Sequence, residues 1–353
     1  MPSLRPSIRR YLPLAASTLL AALILGTTAA RAYTIETPVT EGCHERITAA
    51  ALARAGWPDG ALPPAPTAGQ KVLVNNLPFH LPTARDAWTV AMLAGVRDND
   101  LHGAAATDLP EHVEVDLAPA SQPEHCLRTS DQDFAAGDVQ AAQACHDSIL
   151  EQVALALGDA EAVDLDATEP VQLALKYQRA LVPLPRYAYR LGRALHALQD
   201  SFTHIYRSPD MRRIWSVFNY VDPALAPDYN PARDGRAHVS AFDRCTDEDA
   251  PGQARVAAAT QASADLLAAL ADGSGGRQGR LARADAVLQG YLQVAPGCSI
   301  GNDWCGALES YATSPTHSEG CAAAPGVLSA GALLAGLGLL RQRRRRGGHR
   351  ERP

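Results

Sequence analysis

No two of the seven cysteines are spaced Cys-x-x-Cys. That spacing is the usual thiolate scaffold of zinc fingers and the redox motif of thioredoxin-like proteins, so its absence argues against both classes, and the absence of Cys-x-x-Cys-His argues against covalent haem attachment. Alternating runs of β-branched residues are few and no internal repeat occurs, which argues against a large sheet or a solenoid. Positive charge is scarce away from the ends: the formal net charge is −6, yet both ends are rich in Arg and conceal a far more acidic middle. A surface of that sign repels phosphate backbones, so no stable nucleic-acid complex is expected.

What is present begins with a signal at each end. Residues 1–32 join Arg5, Arg9 and Arg10 to an apolar run from Leu12 to Leu25 and an Ala30-Arg31-Ala32 site, the three parts of an export signal peptide. Cleavage there would start the mature chain at Tyr33. Residues 316–353 hold Gly320-Cys321, an apolar run from Ala322 to Leu340, and the basic cluster Arg341 and Arg343 to Arg346. This order resembles the C-terminal sorting signals of myxobacterial surface proteins. The resemblance implies an exported chain, displayed at the cell surface or outer envelope or secreted after C-terminal processing. A permanent membrane anchor is the plainer alternative. With Cys321 set aside, six cysteines in an exported chain suggest disulfides. Cys298 with Cys305 and Cys126 with Cys145 would be local pairs, leaving Cys43 to close on Cys245, although spacing alone does not choose this connectivity.

Residues 33–315 are expected to form a single all-α helical bundle domain, disulfide-linked and with long metal-binding loops. Helical spacing of apolar residues predicts helices over 43–55, 83–94, 139–157, 169–180, 187–205, 256–271 and 280–294. The segments 96–128 and 219–246 read as loops, and they hold much of the acidic and histidine chemistry. The first carries Asp98, Asp100, His102, His112 and His125; the second carries Asp234, His238 and Asp243.

The stretch from Arg190 to Arg207 contains the most specific pattern, with His196, Asp200 and His204 four residues apart in succession. On a helix these lie nearly above one another on one face, beside an apolar stripe of Leu191, Leu195, Leu198 and Phe202 that would dock into a core. Imidazole, carboxylate and imidazole on one partly buried face suit transition metals, and Zn²⁺ in particular. The bland alternative is two ordinary helix histidines with Asp200 hydrogen-bonded to one of them.

His44 opens the first mature helix about a dozen residues after the expected N-terminus. Tyr33, His44, Asp98, His112, His196, Asp200, His204 and His238 follow one another in an order that resembles the helical zinc-dependent phospholipase C and S1/P1 nuclease superfamily. The LHALQDSFTH segment resembles the LHxxQDxxxH helix of its Het-C-like branch. The resemblance implies up to three zinc ions and the hydrolysis of a phosphodiester by metal-activated water. Asp200 would bridge two ions, His196 and His112 holding one, the Tyr33 backbone and His44 the other. His204 and His238 would hold a third, with Asp234 or Asp243 as its carboxylate, and Asp98 would act as general base or orient the attacking water. His102 and His125 compete with His112 for its place. The chain departs from the pattern in having Tyr33 where the family has Trp, and Phe242 where an acid follows the last histidine. Acidity favours a phospholipid or small phosphodiester substrate. The alternative is a non-catalytic surface or adhesion protein that keeps the helical fold and a residual metal site.

Overall fold

The computed structural model describes residues 34–37, 40–56, 77, 87–108, 118–176, 178–219, 228–238, 240–245 and 250–295. The expected signal peptide, Tyr33, His112, the Cys298–Cys305 pair and the C-terminal sorting signal lie outside them. The described chain is largely helical, with α1 (Cys43–Arg54), α2 (Ala87–Leu101), a 3-10 segment (Pro119–His125), α3 (Phe134–Leu157), α4 (Arg186–Asp200), a single turn α5 (Pro231–Asp234), α6 (Ala250–Ala271) and α7 (Gly276–Tyr291). Two antiparallel ribbons interrupt the helices, β1 (Thr168–Ala174) with β2 (Arg179–Pro185) and β3 (Ile205–Arg207) with β4 (Ile214–Val217). The fold is thus helical but not purely α. Among the described residues no helix is long and apolar enough to cross a membrane.

Helix α4 is the axis of the molecule. Its sequence is rich in Leu, Ala and Arg, good helix formers, and twelve of its fifteen residues, from Tyr187 to Asp200, are buried. The expected stripe holds, with Leu191, Leu195, Leu198 and Phe202 all inaccessible. Against α2 the two backbones nearly touch. A Cβ at Gly192 would lie 2.0 Å from the Met92 carbonyl oxygen, and one at Gly95 would lie 2.0 Å from that of Tyr189. Neither position tolerates a side chain, so the paired glycines bring α2 and α4 closer than ridge-into-groove packing normally allows. Helices α1, α3 and α6 close the remaining sides of α4.

Three expectations need correction. Residues 169–180 are not a helix: 168–174 and 179–185 pair as a hairpin in which Pro170 stands opposite Pro183 and Val171 opposite Val182. Proline lacks the N–H a helix interior requires, whereas both strands of a two-stranded ribbon are edges and accept it. Residues 96–101 are not loop but the last turns of α2, which makes Asp98 and Asp100 helical residues on different faces. And α4 ends at Asp200, so His204 lies beyond it, in a turn held by the Phe202 amide on the Gln199 carbonyl and the Thr203 and His204 amides on the Asp200 carbonyl.

Both described disulfides match the expected pairs, Cys43–Cys245 and Cys126–Cys145. The first ties the start of α1 to the segment after Asp243; the second ties the 3-10 segment to α3.

Candidate metal centre

Asp200 lies at the last residue of α4 with its carboxylate fully buried. Its two oxygens face different partners. Oδ1 is 3.2 Å from His44 Nε2, while Oδ2 is 3.0 Å from both His125 Nδ1 and His196 Nε2. His125 Nδ1 and His196 Nε2 are themselves 3.2 Å apart. Asp100, from the end of α2, brings Oδ1 to 3.7 Å from His196 and 3.8 Å from His125. Two overlapping groups result, His44 with Asp100 and His196, and His125 with His196 and Asp200, each with its ligand atoms within 4.8 Å of one another. A third group of the same kind joins His204, His238 and Asp243, the His238 Nε2 lying 3.0 Å from Asp243 Oδ1.

Neighbouring groups aim the rings. His44 Nδ1 bonds to Gln199 Oε1 at 2.8 Å, and Gln199 Nε2 in turn donates to Thr48 Oγ1 at 2.8 Å. His196 Nδ1 donates to the Val96 carbonyl at 2.7 Å, and His204 Nδ1 donates to the His125 carbonyl. A ring whose Nδ1 carries the proton presents the lone pair of Nε2, and such outward hydrogen bonds are the usual support for a ligating imidazole. His44 and His196 stack with centroids 4.0 Å apart.

The electrostatics balance among the ligands themselves. Burial alone would raise the Asp200 carboxyl, but the surrounding His196, His204 and His44 charges and the His125 hydrogen bond hold it well below the usual carboxylate range. His125 is driven the other way: burial lowers it, and the Asp200 bond and charge, with Asp100 and Glu124, lift it to about 10. In the third group burial dominates, pushing His204 down to about 3 and His238 to about 4, and raising Asp243 well above its ordinary value with the Asp200 and Asp100 charges adding.

A divalent cation fits these residues. Asp200 Oδ1, His204 Nε2 and Asp243 Oδ2 are buried without a hydrogen-bond partner, and each such atom costs about 1–3 kcal/mol unless something satisfies it. The separations of 3.0 to 3.2 Å among His125 Nδ1, His196 Nε2 and Asp200 Oδ2 are close to the ~3.3 Å between ligand atoms around a tetrahedral ion with ~2.0 Å bonds. Nitrogen and carboxylate donors without thiolate suit borderline and harder divalent metals.

The expected residues therefore divide. His44, His196 and Asp200 converge, and His204, His238 and Asp243 form the separate group. Asp234 is instead bound by its neighbour Arg233 and by the Asn230 amide, which leaves Asp243 as the carboxylate of the third group. Asp98 does not join the histidines in these groups: its Oδ2 accepts from Tyr189 at 2.5 Å and Arg193 at 2.7 Å, and its Oδ1 from the Gly103 amide at 3.0 Å. The acid that faces the histidines from α2 is Asp100, two residues on. His125, the competitor of His112, is the histidine brought to His196; His112 and Tyr33 lie outside the described residues. Asp100 was legible only if α2 ran on past Ala94, because residues two apart on a helix point about 200° from one another. Thr34, next to the expected N-terminus, lies between the groups, its carbonyl accepting from the Cys43 and His44 amides and its amide donating to the Asp243 carbonyl. No family model matches the chain, and neither a curated protein nor a solved structure does.

Proposed function

We propose that this centre binds zinc and that the protein is an exported phosphoesterase resembling phospholipase C, acting on a phospholipid or another small phosphodiester. The observation that carries the reading is the division of the Asp200 carboxylate, one oxygen toward His44 and the other toward His125 and His196. That is the arrangement of a bridging ligand, and paired cations a few ångströms apart polarise a phosphoryl oxygen and acidify water. The chain's own part is to aim and shield. Gln199, Val96 and the His125 carbonyl fix which ring nitrogens face inward, and burial of the ligands strengthens every charge interaction with a phosphate entering there. Thr34 beside His44 and Asp243 supports a ligand role for the backbone of the expected N-terminal Tyr33. His204, His238 and Asp243 would hold a third ion. Export, surface display and removal of the Arg-rich tail belong to the same reading.

A non-catalytic surface protein with a residual metal site is the second reading. What favours it is Asp98, whose oxygens are taken by Arg193, Tyr189 and Gly103 and are thus poorly placed to serve as general base. Elemental analysis of the exported protein with its native N-terminus should find stoichiometric zinc, and turnover of a chromogenic phosphodiester should accompany it. Zinc without turnover supports the second reading, and absence of zinc ends both. Asp200→Asn should abolish hydrolysis and release the bridged ions; a variant that keeps its activity contradicts the bridging role.

A further inference from the structure

Behind the ligands lies a second layer of charge. Arg193, on α4 and three residues before His196, donates from Nη1 to Asp98 Oδ2 at 2.7 Å and from Nη2 to Glu124 Oε2 at 2.5 Å. Asp98 precedes Asp100 by two residues on α2, and Glu124 directly precedes His125 at the end of the 3-10 segment. The three partners thus sit on three different elements, each within a turn of a ligand. Asn99 strengthens the junction by donating to the Glu124 carbonyl at 3.3 Å and the Arg193 carbonyl at 3.2 Å. His102, in a left-handed backbone conformation at φ 44°, brings Nε2 to 2.8 Å from the other Glu124 oxygen. Arg193 and Glu124 are largely shielded from solvent, so water screens this pair less than it would an exposed one.

We infer that Arg193 is a positioning residue: its guanidinium locks α2 and the 3-10 segment to α4 in the one register that sets Asp100 and His125 against His196. The planar fork of Arg satisfies two carboxylates at once, whereas the point charge of Lys serves one. Without the fork, the two carboxylates oppose each other across the gap, and the backbone that carries Asp100 and His125 is free to move apart. Ligand atoms held about 3 Å from one another tolerate little of that, and supporting residues of this kind typically cost 10–100-fold in metal affinity when removed. The inference rests on the centre binding a cation.

Co²⁺ is the probe, because its visible absorption bands report the number and geometry of its ligands independently of turnover. Arg193→Gln should weaken Co²⁺ binding about 10–100-fold, measured against a competing chelator, and should alter the band positions. Arg190→Gln is the control. It removes an ion pair of similar burial one turn earlier, with Glu169 at 2.7 Å, and should leave both affinity and spectrum unchanged. Glu124→Gln frees only the 3-10 segment and decides the matter if Arg193→Gln does not fold; it should weaken binding by a smaller factor with a spectral change of the same kind. Folded variants whose Co²⁺ affinity and spectrum match the wild type overturn the inference while leaving the proposed function standing. A wild-type chain that takes up no cation overturns both.

Discussion

The protons on the buried ligands set how the centre responds to pH. His125 is lifted to about 10, so in the cation-free protein it holds its proton at neutral pH, and burial raises Asp243 well above its ordinary value. A cation needs the lone pairs of both and must displace any proton they carry. Binding should therefore release protons, detectable by calorimetry in buffers of different ionisation enthalpy, and apparent affinity should climb as pH rises toward 10. A flat profile would mean that neither residue is a ligand. Stability of the cation-free chain runs the opposite way. The folded value for His125 exceeds its ordinary 6.5, so its contribution is complete below that pH and is lost as pH rises through about 10. Of these residues, His196, Asp200 and His204 were legible from spacing, His44 and His238 entered through the family resemblance, and Asp243 stood open against Asp234. The choice of His125 was not legible, because spacing along the chain does not tell which of three loop histidines the Cys126–Cys145 link carries to α4.

Helix α4 was readable because its stripe, Leu191, Leu195 and Leu198, meets a core on one side while His196 and Asp200 share another. The hairpin over 168–185 carried its own signal, since Val171, Leu173 and Leu175 alternate at the two-residue spacing of a strand beside prolines at 170 and 183. The end of α4 carried none: a helix continuing through His204 and one that unwinds at Ser201 keep the same apolar spacing. What no pattern announces is the backbone contact between α2 and α4. Gly192→Ala would place a methyl 2.0 Å from the Met92 carbonyl and should cost about 1–3 kcal/mol or more, read as a lowered Tm. Gly290→Ala on α7, where nothing lies within 4 Å, should instead raise stability by up to ~1 kcal/mol through helix propensity. Equal effects at the two positions would refute the close approach.

Across the whole molecule the centre draws on residues distant in sequence: His44 meets Gln199 across 155 positions, and Cys43 meets Cys245 across 202. That disulfide is flanked by a candidate ligand on each side, His44 immediately after Cys43 and Asp243 two residues before Cys245. Replacing both cysteines by serine should lower stability by about 2–4 kcal/mol and reduce the number of cations held, while the Cys126–Cys145 link stays closed; full cation content in the double variant would show the link to be irrelevant to the centre. The arrangement also imposes a sequence of events in time. A chain emerging from its N-terminus presents His44 long before Asp200, and Asp243 later still, so no nascent fragment can assemble the complete ligand set. Oxidation of the 43–245 link belongs to the finished chain, and on the proposed reading cation uptake can only follow the synthesis of Asp243, as the last step of maturation.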